Sequence, residues 1–170
     1  MSGGGVYSLA TIGAKHVIDA ATPMVLDAIA SLPAESIAAG FTISDMAMLP
    51  RVNDAVDSRA PQAPISVVYS DQPRNDFNAL LANVYGLGSF DSYLDRRADI
   101  FPMVSGTSFY KQILPAGTLD IGFSATAMHW LSAKVCNLSN HVQAVGAEGE
   151  ELAAYRQQAH RDWRQILLHR

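Results

Sequence analysis

A chain of 170 residues is long enough for one domain with a substantial core, and 49% hydrophobic against 16% charged residues is a globular balance rather than a disordered one. Its 12 Lys and Arg against 16 Asp and Glu leave a net charge of −4, with no dense basic stripe to neutralise phosphates, which argues against a dedicated nucleic-acid surface. No apolar run approaches the roughly 20 residues that span a bilayer, so no membrane partner is expected.

The opening "MSGGGVYSLATIGAKH" has no basic start followed by a hydrophobic stretch, which argues against a signal peptide and for a cytoplasmic protein. The glycine-rich residues 1–5 read as a flexible leader. From Ile12 to Leu32 the spacing is helical, with Val17, Ala21, Val25, Ala28, Ile29 and Leu32 on one apolar face. Thr22-Pro23 interrupts this pattern, and Thr as N-cap with Pro in the first turn predicts a second helix restarting there. "FTISDM" (41–46) reads as a strand and Leu49 to Arg59 as a short helix.

"APISVVYSDQP" (63–73) is the clearest strand, continuous enough to be buried on both faces as in a parallel sheet. "NDFNALLANVYG" (75–86) reads as a helix capped at its start by Asn75 or Asp76 and stopped by a glycine. "IFPMVSGTSFY" predicts a short strand and a turn, and "TLDIGFSATAMHWLS" (118–132) a further strand. Glu148 to Arg170 has helical spacing at Leu152, Tyr155, Ala159, Trp163, Ile166 and Leu167, with acids at its start and arginines toward its end, complementing the helix dipole. Alternating strands and helices predict an α/β fold with a parallel sheet flanked by helices.

Chemistry-bearing residues are few. Cys136 is the single cysteine, so neither a disulfide within these residues nor a cysteine metal site is expected, and the sequon at Asn137 is ascribed to chance. Asp45 and Asp71 each close a strand, where a carboxylate can accept hydrogen bonds from ribose hydroxyls, although aspartate also favours turns for its own sake. Ser108 and Phe109 in "SGTSFY" offer a hydroxyl and a stacking face, or simply an aromatic turn closing the core. His129 and Trp130 fall just beyond a strand end, where open α/β sheets bind ligands, or are half-buried packing. The remaining histidines are scattered, so no metal is expected. There is no G-x-S-x-G elbow and no G-K-[ST] loop, and the G-x-G of "YGLGSF" follows a helix rather than a strand.

The blocks "VYSLATIGAKHVIDAATPMVLDAI", "SDQPRNDFN" and "SGTSFYKQILPAGTLDIGFSATAMHWLS", and the chain as far as "AHRDWRQILLHR", resemble the S-adenosylmethionine-dependent carboxyl methyltransferases of plant salicylate, jasmonate and caffeine pathways (the SABATH family), with bacterial relatives. The SFY…P…S…HWLS skeleton is the most specific part. The resemblance implies a Rossmann-like methyltransferase fold, S-adenosylmethionine as cofactor, and a small-molecule carboxylic acid as substrate. It implies that Tyr7 to Thr11 belong to an N-terminal segment (1–11) folding over the cofactor. Asp71 and Gln72 would hold the ribose, Ser108 and Phe109 flank the adenine, and Asp45 match the acid of the family's first motif. Thr126, His129 and Trp130 would face the substrate. The reaction requires positioning and exclusion of water more than a general base, because a carboxylate is already ionised near neutral pH.

Three departures stand beside it. The family's glycine turn after Asp45 is replaced by "MAMLPRVNDAV"; Ala14 stands where plant members carry a carboxylate-gripping Gln; and residues 1–170 form a single, partial domain without the family's last strands and helical cap. A non-catalytic relative acting as an interaction module, for example by homodimerising through an unfinished sheet, is therefore the alternative. A nicotinamide-dependent oxidoreductase ranks below both, because its glycine fingerprint is missing.

Overall fold

The computed structural model describes residues 12–44, 49–87, 91–125 and 127–169. Helix α1 (Ile12–Ser31) and short helix α2 (Ala34–Ala38) lead into strand β1 (Phe41–Ser44); α3 (Leu49–Arg59), β2 (Ile65–Ser70), α4 (Phe77–Val84), β3 (Ile100–Ser105), β4 (Ile121–Gly122) and α5 (Gly149–Leu168) follow. Single 3₁₀ turns at Leu94–Arg96 and Ala144–Gly146 punctuate the loops. The sheet has the order β3-β2-β1-β4 and every pairing is parallel. The parallel α/β expectation is met.

The strand pleat separates two faces. Phe41, Ile43, Ile65, Val67 and Ile100 fall on one, and with Val25 and Ile29 of α1 and Val52 and Val56 of α3 they form the core. Fully burying each such aliphatic contributes roughly 1.5–3 kcal/mol. On the opposite face Thr42, Ser66 and Phe101 lie side by side, followed by Ser44, Val68 and Met103. There the edge strand leaves Phe101 51% and Met103 41% exposed.

Three expectations need correction. First, α1 does not restart at Thr22-Pro23: one helix runs through Pro23. Buried Thr22 turns its hydroxyl back to the Ile18 carbonyl (3.2 Å) instead of capping a new helix, while Val25 and Ile29 anchor the following turns in the core. Tertiary packing outweighs the proline's missing N–H. Second, the strand expected within 118–132 contracts to Ile121–Gly122. Asp120 ends the pairing toward the amino side, its carboxylate accepting from the Thr42 N–H at 2.7 Å. Third, the apolar positions of α5 do not share one environment: Ile166 is buried and Leu152 and Tyr155 half-buried, but Trp163 is 52% exposed, Ala159 and Leu167 are also outside, and Asp162 points inward.

Helix α4 starts where expected. Asp76 is its N-cap, accepting from the Ala79 N–H at 3.2 Å, and Gly86 leaves the helix with φ +66°. A Cβ at Gly86 would sit 3.1 Å from Ser92, whose hydroxyl donates to the last α4 carbonyl, Val84 (2.7 Å). At the amino ends of β2 and β3, Arg97 gathers a polar node. It donates to Asn53 (2.8 Å) and Asp57 (2.7 Å) of α3, to both Asp99 oxygens and to the Ala63 carbonyl. No helix among the described residues is long and apolar enough to cross a membrane.

Candidate active site

The chain runs outward from β1 through β2 to β3, then returns to place β4 on the other side of β1. In open α/β sheets such a reversal is where ligands bind, beyond the carboxyl ends of the strands. The Ser44 hydroxyl marks the switch point by accepting from the Phe123 N–H just beyond β4 (3.3 Å).

Asp71 follows the last residue of β2. Its N–H donates to Ser105 O at the end of β3 (3.1 Å), and the neighbouring Ser70 hydroxyl donates to Thr107 O (3.1 Å). These bonds draw the loop after β3 alongside residues 70–72. The Asp71 carboxylate accepts from the Gln72 N–H (2.6 Å) and from the Asn75 side-chain amide (2.6 Å). Asn75, expected only as a possible cap, is thus a brace that stops the carboxylate rotating. Each oxygen retains a lone pair for a ligand hydroxyl.

Ser108 begins a tight turn. Its carbonyl accepts from the Lys111 N–H (2.8 Å), and its hydroxyl oxygen takes a long contact from the Tyr110 N–H (3.4 Å). The Phe109 and Tyr110 rings lie with centroids 4.5 Å apart, tilted by 46°. The His129 and Trp130 rings are 5.0 Å apart and tilted by 38°, and Trp130 is 68% exposed. That exposure excludes the core-packing reading for Trp130. The Tyr110 hydroxyl donates to the Trp130 carbonyl, so the two aromatic motifs, far apart in sequence, meet.

Helix α5 backs this meeting point. Gln165 donates to the Tyr110 carbonyl (2.9 Å), and Asp162 accepts from the Ser132 hydroxyl (2.6 Å), the Ser132 N–H (2.9 Å) and Gln158 (2.8 Å). Burial would raise the Asp162 pKa, but the Ser132 and Gln158 hydrogen bonds and the nearby Arg161 charge outweigh it and hold the carboxyl below its usual range. Burial first, and the Asp162 charge second, push the Tyr110 phenol upward, which keeps it protonated and able to donate.

Of the sequence-predicted site residues, the structure brings Asp71 and Gln72 beside the loop carrying Ser108 and Phe109, and joins that loop to His129 and Trp130. Tyr7, Thr11, Asp45 and Thr126 lie outside the described residues. No group of three His, Cys, Asp or Glu side chains able to hold a metal occurs among the described residues. Sequence reasoning missed Tyr110 as a link, and Ser132 and Asp162 as an anchor. The Asp71/Asn75 spacing across a proline turn was a readable signal, whereas nothing in the α5 pattern singled out Asp162.

A parallel α/β sheet with a braced acid after its second strand, and aromatic loops gathered beyond the third and fourth, is the arrangement in which doubly wound domains hold nucleotide cofactors. The description "SAM dependent carboxyl methyltransferase" belongs to the family whose sequence model matches residues 3–170, and the chain belongs to that family. It is similar to Methyltransferase LUC1 of Fusarium sp, 34% identical over 110 residues, covering 63% of this chain and 27% of that protein. Gibberellic acid methyltransferase 2 of Arabidopsis thaliana is 31% identical over 103 residues, covering 55% of this chain and 26% of that one. Among solved structures, loganic acid methyltransferase with SAH superposes with a TM-score of 0.71 at 21% identity, covering 99% of this chain and 54% of that chain. It shares the fold. The chain thus spans about half of that structure and little more than a quarter of these curated relatives.

Proposed function

We propose that this chain carries the cofactor half of an enzyme that methylates the carboxylate of a small molecule, with S-adenosylmethionine as donor. The observation that carries the reading is Asp71, braced by Asn75 at the carboxyl end of β2 and adjoining the Ser108–Phe109 loop. The cofactor fits these residues: Asp71 and Gln72 would accept the ribose hydroxyls, and Ser108 and Phe109 would border the adenine. The cofactor supplies an electrophilic sulfonium methyl. The protein's part is to align it with an acid beside His129 and Trp130, whose indole N–H is suited to a carboxylate oxygen. The family match and the solved relative with SAH support this reading. In this reading Tyr7 and Thr11 would contribute from the N-terminal segment, Asp45 from the first motif and Thr126 from the substrate side.

Calorimetric titration of the 170-residue chain with S-adenosylhomocysteine tests it. Micromolar binding, about −8 kcal/mol, is expected for the wild type. Asp71→Ala should weaken it at least about tenfold, the effect of removing a charged hydrogen-bond acceptor. A folded chain that takes up no S-adenosylhomocysteine would instead favour the non-catalytic reading, an interaction module and possible homodimer. The exposed Phe101 and Met103 on an edge strand favour that second reading.

A further inference from the structure

Trp130 poses a mechanical problem. The residue is 68% exposed with the His129 ring beside it, so burial does not fix its direction, yet an indole that meets a substrate carboxylate must be aimed. Its orientation therefore rests on the backbone either side. On one side the Trp130 carbonyl accepts from the Tyr110 hydroxyl. Two residues later, both the N–H and the hydroxyl of Ser132 donate to Asp162 of α5, at 2.9 and 2.6 Å.

Asp162 is an unusual side chain to find there. It is 3% exposed on a helix whose Trp163 and Leu167 face outward, and its three hydrogen-bond donors are neutral groups. Burying a carboxylate in this way costs stability that an apolar residue would not. Gln158 also donates to the Ser132 hydroxyl oxygen (3.0 Å) and is itself held by Arg161 (2.6 Å). Gln158, Asp162 and Gln165 recur at i, i+4 and i+7, so one polar stripe of α5 holds both the Ser132 backbone and the Tyr110 carbonyl.

We infer that Asp162 is a positioning residue: through Ser132 it fixes the Trp130 loop, and with it the direction in which the indole meets the substrate carboxylate. This rests on the proposed substrate role of Trp130. Asp162 acts in this scheme through Ser132, not by contact with substrate or cofactor. The arrangement also explains why α5 turns Asp162 inward beside Ile166.

The test uses Trp130 as its own reporter. The chain has 2 tryptophans, so Trp163→Phe leaves Trp130 alone. In that background, Asp162→Asn and Ser132→Ala should each raise the acrylamide-quenching constant of Trp130, or the amplitude of its fast anisotropy decay, by about twofold, as expected for a loop released from its anchor. Asp162→Glu, which keeps the charge, should recover part of the wild-type rigidity. Asp71→Ala should leave the Trp130 signal unchanged. S-adenosylhomocysteine affinity, measured on the same variants, should stay within about twofold at Asp162 and Ser132 if the ribose acceptors are remote from the anchor. Unchanged Trp130 mobility in folded Asp162→Asn and Ser132→Ala would overturn the inference. So would loss of the fold in both, which would assign Asp162 to folding alone. If Trp130 loosens as expected but the wild type binds no S-adenosylhomocysteine, the anchor stands and the cofactor reading fails.

Discussion

Arg97 and Asp71 illustrate two uses of charge at opposite ends of the same strands. Arg97 is nearly enclosed and ties α3 to the loops before β2 and β3. Its hydrogen bond to Asp99 is the main cause of the lowered Asp99 pKa, with the Arg97 charge adding a smaller share. Arg97→Ala should cost about 2 kcal/mol, at the lower side for a broken pair because both acids remain partly in water. The pH dependence follows with its sign. A carboxylate whose folded pKa lies below its unfolded value contributes fully above that value, about 3.9, and loses the contribution as pH falls through the folded value. Thermal melts should therefore show wild-type stability falling below about pH 4, with Arg97→Ala losing less over the same interval. Asp71 has different company: its bonds come from its own turn, which orients the carboxylate while leaving room for a hydroxyl-bearing ligand.

Among the elements, α1 and α5 each contradict a simple reading of their own composition. Pro23 inside α1 cannot donate to the helix and is tolerated because buried Val25 and Ile29 follow it. Pro23→Ala should restore a helical N–H at an exposed position and raise stability by about 1–2 kcal/mol, read as a higher midpoint in urea at constant slope. An unchanged midpoint would mean that the helix already compensates, through local geometry, for the missing donor. In α5 the periodicity of Leu152, Tyr155, Trp163 and Ile166 gives the right element but an incomplete orientation. The hydrogen bonds to Ser132 and Tyr110 hold inward a stripe that includes Asp162. A hydrophobic pattern registers transfer from water and is blind to a buried carboxylate whose partners come from a distant loop.

At the scale of the whole molecule, helices α1 and α3 pack on one side of the sheet, and Phe101 and Met103 of the edge strand stay open on the other. An exposed apolar edge favours self-association. Sedimentation should show a mass rising with concentration in the micromolar to millimolar range, and Phe101→Lys with Met103→Lys should return the chain to a monomer. A monomer throughout would remove the homodimer from the alternative reading.

Much of the fold around the candidate site was legible along the chain because its signals are local. Strands rich in Val and Ile read as strands, an aspartate closing β2 marks a sheet end, and Asp76 caps its own helix by a contact three residues away. The sequence by itself determined the α/β class, the succession of elements, and the motifs that resemble carboxyl methyltransferases. Only the tertiary structure decided that Tyr110 meets Trp130, that Gln165 holds the Tyr110 carbonyl, and that a buried Asp162 backs the candidate substrate side. The reason is physical: apolar periodicity and turn chemistry act over a few residues, whereas these bonds depend on where the sheet order and the return of α5 place segments from 20 to 55 residues apart.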